Sequence, residues 1–290
     1  MKVLIIGGSG VIGWNLLSTF TENAKFTYYK NKTTLNDRIL LDITNIDETS
    51  QVIKKEKPEI VIHTSSLTNV DLCERDHTSA DLINVQGTKN IIEICRDIKS
   101  KLVFISTSFV YDGKKEQYFE DDKKSPSTYY GITKAKGEDM VINSGLPYLI
   151  LRTDQPYCWI EKWQHTNSVL RVIENIKSGT RHKEIENWYN CPTYVPEFSE
   201  ALKKLVDMNM EGIFHVIGSD YISRYEWALE IADIFRLDRK MIDKINSSEL
   251  NLSASRKNIH LNNNKLFEES GIKMSGIKNG LIKMRDEKSH

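Results

Sequence analysis

With 290 residues, 40 Lys plus Arg against 40 Asp plus Glu, 39 % hydrophobic and 28 % charged residues, the chain has the profile of an ordinary globular protein with a sizeable core. Balanced charge argues against a polyanion-binding surface and no stretch is long and apolar enough to span a membrane, so neither nucleic acid nor membrane is expected as a partner. The four cysteines, Cys73, Cys95, Cys158 and Cys191, lie far apart with no C-x-x-C pair, which indicates neither a disulfide framework nor a metal site and fits buried free thiols in a reducing compartment.

The first apolar run, Val3-Leu4-Ile5-Ile6, is too short for a signal peptide, so a cytoplasmic location is expected. Directly after it stands Gly7-Gly8-Ser9-Gly10-Val11-Ile12-Gly13, with Gly7, Gly10 and Gly13 in G-x-x-G-x-x-G spacing. Gly7 permits a tight turn, Gly10 lets backbone approach a pyrophosphate, and Gly13 lets the following helix pack close to the strand. The helix start at Val11 and Ile12 then turns free N–H groups toward phosphates. A dinucleotide site follows, and its type turns on the end of the second strand, Phe26-Thr27-Tyr28-Tyr29-Lys30-Asn31-Lys32. That segment has no acid for ribose hydroxyls. Lys30 and Lys32 stand where a 2′-phosphate would be met, so NADPH is favoured over NADH, the alternative being solvated lysines. Asp42, after Ile39-Leu40-Leu41, is placed to take the adenine amino group or to cap the next helix, with Ile43 beside it.

Buried strands are expected at Val3-Leu4-Ile5-Ile6, Ile39-Leu40-Leu41, Ile60-Val61-Ile62, Leu102-Val103-Phe104-Ile105 and Tyr148-Leu149-Ile150-Leu151, with helices over 13–22, 46–57, 78–98 and 130–144. The alternation predicts an α/β fold, a Rossmann-type doubly wound parallel sheet. A smaller C-terminal α+β substrate-binding cap completes it. The division places 1–154 plus about 189–210 in the dinucleotide domain and about 155–188 plus 211–290 in the cap, which includes a strand at Gly212-Ile213-Phe214-His215-Val216-Ile217 and a last helix from about Ser223. The charged connection 111–128 reads as a solvated loop, and Trp159, Trp163, Trp188 and Tyr189 read as cap core or as a base-stacking surface.

Tyr130-Gly131-Ile132-Thr133-Lys134 sets a phenol and an ammonium four residues apart on one helix face. A positive charge at about 4 Å contributes roughly 4 kcal/mol at an effective dielectric of about 20, enough to bring a phenol down by about three pKa units. The third partner is expected from Ile105-Ser106-Thr107-Ser108, hydroxyls at the carboxyl edge of the sheet.

These motifs, with His63-Thr64-Ser65-Ser66-Leu67-Thr68-Asn69-Val70-Asp71, Asn84-Val85-Gln86-Gly87-Thr88, Leu151-Arg152-Thr153 and Cys191-Pro192-Thr193-Tyr194-Val195, resemble the extended short-chain dehydrogenase/reductase family, and within it the dTDP-4-dehydrorhamnose reductases, over nearly the whole chain. The resemblance implies Thr107 as the hydroxyl polarising a ketone, Tyr130 as proton donor, Lys134 as the residue holding the ribose, and Asn84 as a support for Lys134 through water. It also implies Thr64, Ser65 and Ser66 along the cofactor, and Thr68, Asp71, Ser108 and Gln155 near the sugar, with a helix cap as the alternative role of Asp71. Ser108-Phe109 stands where the related 4,6-dehydratases carry an Asp-Glu pair, which implies simple ketone reduction. The expected reaction is NADPH-dependent reduction of the C4 ketone of a nucleotide-linked 4-keto-6-deoxyhexose. An epimerase, a bifunctional 3,5-epimerase/4-reductase, and a non-catalytic regulatory subunit like that of methionine adenosyltransferase are the alternatives. A homodimer is a further implication of the resemblance. Two departures fall on the substrate side: Asp154-Gln155 where these reductases have Ser-Trp after Arg-Thr, and Ser255-Arg256-Lys257 where they commonly have Arg-Pro.

Overall fold

A computed structural model describes residues 1–20, 24–31 and 38–287. In chain order the first half gives β1 (Val3–Ile6), α1 (Val11–Thr19), β2 (Ala24–Tyr28), β3 (Arg38–Leu40), α2 (Ile46–Glu56), β4 (Ile60–His63), α3 (Val70–Arg75), α4 (His77–Ala80), a π-helical turn (Asp81–Gln86), α5 (Gly87–Ile98), β5 (Lys101–Thr107) and α6 (Tyr129–Ile142). The second half adds β6 (Tyr148–Thr153), β7 (Pro156–Tyr157), α7 (Ser168–Lys177), β8 (His182–Ile185), β9 (Tyr189–Asn190), β10 (Thr193–Tyr194), α8 (Val195–Asp207), β11 (Gly212–His215), β12 (Ile222–Ser223), α9 (Arg224–Ile234), β13 (Ile242–Ile245), α10 (Asn264–Ser270) and α11 (Ile277–Glu287).

Seven strands form one sheet in the order β11-β6-β5-β4-β1-β2-β3, every pair parallel. The order reverses at β1, which puts the switch point, and hence a crevice for a ligand, above the ends of β1 and β4. Alternate residues of each inner strand feed the two faces. Val3, Ile5, Ile62, Val103, Ile105, Leu149 and Leu151 pack with Leu16, Phe198 and Leu202 of α1 and α8. Leu4, Ile6, Val61, Leu102, Phe104 and Ile150 pack with Ile53, Ile91, Cys95 and Val141 of α2, α5 and α6. A separate apolar cluster, including Tyr157, Leu170, Ile173, Trp227, Ile231 and Leu281, forms the interior of the C-terminal part.

The α/β architecture is as the alternation predicts, and several elements differ. Residues 212–215 were expected in the cap; they form β11, hydrogen-bonded to β6 at the edge of the main sheet. A strand pairing partner lies outside what local apolar pattern encodes. The apolar run at 39–41 predicts a strand buried on both faces, yet β3 is the opposite edge and Leu40 is 59 % exposed. The helix expected over 78–98 is broken into α4, the π-turn and α5, and two helices, α10 and α11, follow the expected last helix from Ser223. The 111–128 connection is not simply solvated: Tyr111, Tyr118 and Glu120 are buried, and Tyr118 bridges to Leu261. All four cysteines are free and buried.

Candidate active site

The glycine loop leaves β1 with Gly7 at φ +90°, a left-handed conformation that costs a side chain most. A Cβ there would also lie 2.5 Å from Ser65 Oγ, and one at Gly13 would lie 2.4 Å from the Gly7 carbonyl. Gly10 is the N-cap of α1 with no side-chain cap, while α2, α3, α6, α7 and α9 all have one. The first-turn N–H groups near Val11 and Ile12 are thus left for an external acceptor, which suits a pyrophosphate. Thr64 secures the loop by donating to the carbonyls of Ile6 and Gly7 at 2.9 and 3.1 Å. Two residues with no signal in the local sequence reach it from the second half of the chain: Trp163 and Gln164 donate to the Ser9 carbonyl at 3.3 and 3.1 Å. Trp163 also packs edge-on against Trp14, so Trp159, Trp163, Trp188 and Tyr189 do not form one cluster.

At the end of β2, Lys30 is exposed, with its ammonium 5.6 Å from the Tyr29 ring centre; Lys32 lies outside the described residues. Asp42 does not cap α2. Its Oδ1 accepts from the Thr44 N–H and hydroxyl, at 2.9 and 2.7 Å, and Asn45 caps the helix instead. These bonds hold the Asp42 carboxyl below its ordinary range against the opposing effect of burial. Ile43 is buried against Gly87, where a Cβ would lie 2.6 Å from its Cδ1, so its side chain serves the core.

The hydroxyl-rich end of β5 meets the first turn of α6. Gly131 makes this approach feasible, because a Cβ there would lie 2.1 Å from the Phe109 carbonyl oxygen. Thr107, Tyr130 and Lys134 are all buried, at 6 %, 9 % and 4 % exposure. Burial pushes the Tyr130 phenol well above its ordinary value, and hydrogen bonds with Thr107 and Ser66 oppose that rise. Burial lowers Lys134 to about 7, with Glu138 one turn on acting to raise it. The ammonium sits 4.0 Å over the Phe104 ring. Burial of both groups on the inward face of α6 dominates the two shifts. The phenol is held in its protonated form, as a proton donor requires.

Asn84 lies in the π-turn, a winding that recurs at functional sites. Its Oδ1 accepts from Ser66 Oγ at 2.9 Å and Leu67 N at 2.7 Å, while its amide donates to the Leu67 carbonyl at 3.2 Å and Thr133 Oγ1 at 3.0 Å. Asn84 thus braces the 64–67 segment against α6.

Of the residues expected near the sugar, Ser108 is buried and Gln155 half-buried. Ser108 Oγ donates to Asp154 at 2.8 Å, and Gln155, at φ +39°, accepts from Arg224 at 2.9 Å. Thr68 is exposed. Asp71 is not the cap of α3, a role taken by Asn69. Instead it accepts from the Ala254 N–H at 2.9 Å and forms an ion pair with Arg256, tying α3 to the C-terminal segment. Asp154 is a buried carboxylate beside the proton-transfer group that sequence reasoning did not count as functional; its only signal was the departure after Arg152-Thr153.

The sequence matches the profile of the RmlD substrate binding domain over residues 1–289. It is 27 % identical over 281 residues to "Methionine adenosyltransferase 2 subunit beta" of Mus musculus, covering 93 % of this chain and 83 % of that protein. It is 28 % identical over 239 residues to the dTDP-4-dehydrorhamnose reductase of Aggregatibacter actinomycetemcomitans, covering 80 % and 78 %. Among solved structures, the dTDP-4-dehydrorhamnose reductase of Bacillus anthracis in complex with NADP superposes with a TM-score of 0.88 at 27 % identity, over 99 % of this chain and 100 % of the other.

Proposed function

The chain belongs to the RmlD substrate binding domain family, and on that premise we propose that it is an NAD(P)H-dependent oxidoreductase that reduces the C4 ketone of a nucleotide-linked 4-keto-6-deoxyhexose, with NADPH as the preferred reductant. What supports the reading most is the burial of Thr107, Tyr130 and Lys134, with Thr107 hydrogen-bonded to the Tyr130 phenol, in a sheet whose switch point adjoins the glycine loop. Gly7, Gly10 and Gly13, with the open N-terminus of α1, fit the dinucleotide phosphates, and Thr64, Ser65 and Ser66 flank them. When bound, the nicotinamide supplies a hydride to the ketone carbon. Thr107 orients the carbonyl oxygen and Tyr130 donates its proton to that oxygen as charge develops there. Lys134 holds the ribose and returns positive charge to the phenol, and Ser108 contacts the sugar next to the reacting carbon. We further assign 1–154, about 189–210 and β11 to the dinucleotide domain, with the remaining C-terminal residues forming the substrate cap.

Oxidation of NADPH followed at 340 nm with dTDP-4-dehydrorhamnose tests this reading. Tyr130→Phe is expected to lower kcat by 10²- to 10⁴-fold while NADPH binding is retained. A Tyr130→Phe variant as active as the parent overturns the assignment. Similarity to the methionine adenosyltransferase subunit over 93 % of the chain supports a second reading, a partner-binding regulatory subunit. Tight NADPH binding by a parent that turns over no ketone would favour it.

A further inference from the structure

Beyond Thr153, the last residue of β6, the chain carries Asp154 into the interior, where it is 3 % exposed. Its Oδ1 accepts from Ser108 Oγ and its Oδ2 from the Cys191 backbone N–H, each at 2.8 Å. The Cys191 amide is a donor that cannot reverse, and a carboxylate without a proton can only accept. The single hydrogen of Ser108 is therefore committed to Asp154. Toward any other group Ser108 has lone pairs alone. Thr153, the register partner of Thr107, and Asn190, next to Cys191, each hold a buried oxygen with no hydrogen-bond partner, Thr153 Oγ1 and Asn190 Oδ1. Both lie on the segments that carry Asp154 and its amide partner.

We propose that Asp154 is a positioning residue that fixes Ser108 as a hydrogen-bond acceptor, so that the site selects a ketone whose neighbouring carbon bears a hydroxyl. The proposal rests on the reading of Ser108 as a sugar contact given above. A second carbonyl or a bare methylene at that carbon offers Ser108 nothing, whereas a hydroxyl offers the donor it lacks. The groups facing Asp154 from the elements around it are Arg224 of α9, Tyr130 of α6, Cys191 and Tyr221. Burial outweighs the help of Arg224 and its hydrogen bonds, and the carboxyl is raised to about 6. Below that pH, a protonated Asp154 can donate to Ser108 and reverse its polarity.

The test compares KM for dTDP-4-dehydrorhamnose and its 3-deoxy-3-fluoro analogue, whose fluorine accepts but cannot donate, at saturating NADPH between pH 5 and 8.5. In the parent, KM for the hydroxylated ketone is expected to be about tenfold lower than for the fluoro ketone above pH 7, the worth of roughly one hydrogen bond. That advantage is expected to fade as the pH falls through about 6, because Ser108 is then free to donate to either substituent. In Asp154→Asn the amide oxygen meets the fixed Cys191 N–H and the amide nitrogen donates to Ser108, so the advantage and its pH dependence are expected to vanish through a fall in KM for the fluoro ketone. Ser108→Ala, which removes one atom and leaves Asp154 bonded to Cys191, is expected to remove the advantage through a rise in KM for the hydroxylated ketone and keeps the question decidable if Asp154→Asn folds poorly. Either variant retaining the parent's preference and its pH profile overturns the proposal. A parent that reduces both ketones with equal KM at every pH overturns it while the reductase reading stands, and a parent that reduces neither overturns both.

Discussion

Lys134 shows what the site costs at the scale of one residue. Its ammonium is held at about 7 against an ordinary 10.5, so between those values the unfolded chain binds a proton that the folded chain does not. Stability therefore rises with pH across that window, and below about pH 7 the folded protein bears the whole cost of a buried ammonium, about 5 kcal/mol. Lys134→Met, of similar length and without charge, is expected to raise the melting temperature at pH 6 by several degrees while removing turnover, with the gain shrinking toward pH 10. A variant that melts below the parent at pH 6 would show that Lys134 stabilises the fold. Tyr130 behaves in the matching way: burial keeps its proton on, and loss of that proton falls above the range in which the protein would operate.

Between elements, α6 is fastened to the sheet by polar groups as much as by apolar ones. Glu138, fully buried on α6, accepts from Arg152 of β6 through two bonds at 2.9 and 2.8 Å and from Ser106 of β5 at 2.6 Å. Arg152 is 1 % exposed and also donates to the Glu120 carbonyl at 3.1 Å, and Tyr111 accepts from the same guanidinium. Removing one member of such a pair strands the other in a low dielectric, at a cost of about 3 to 5 kcal/mol. Arg152→Met is expected to lower the urea midpoint accordingly, and Arg152→Met with Glu138→Leu to recover at least half of the loss. A double variant no more stable than the single one would mean that the other bonds of Arg152, not its charge pairing, dominate. Glu138 lies one turn beyond Lys134 and two beyond Tyr130, so this network anchors the helix face that carries the proton donor.

For the whole molecule, the decisive contacts are those that draw the C-terminal half across the first. Asp71 binds Arg256, and Arg75 donates to Ser253 Oγ at 3.0 Å. Trp188 donates to the Lys257 carbonyl at 3.2 Å, with the Arg224 and Arg256 guanidinium groups 5.2 and 5.4 Å from its ring centre. The 253–258 segment is thus a strap over α3 held by a few polar bonds, which places it at the low end of local stability. Asp71→Asn is expected to increase amide exchange across 253–258 at least several-fold while exchange in β4 and β5 stays unchanged. Unchanged exchange in the strap would show that its other contacts, with Arg75 and Trp188, hold it without Asp71.

The α/β fold, the glycine loop and the Thr107, Tyr130 and Lys134 group were legible because each is written locally. Apolar runs of strand length, glycines at a turn that tolerates no Cβ, and two side chains one helical turn apart are all set by neighbours in sequence. Membership of the family was readable for the same reason, in the order of those short motifs. What sequence alone did not decide depends on partners distant along the chain. That β11 closes the main sheet follows from pairing with β6, that Asp71 meets Arg256 from a contact 185 residues away, and that Trp163 reaches Ser9 from one 154 residues away. The proton balance of the site belongs with these. Spacing put Tyr130 and Lys134 on one face, but only the packing of α6 over β5 determined that burial, acting on each, raises the phenol and lowers the ammonium.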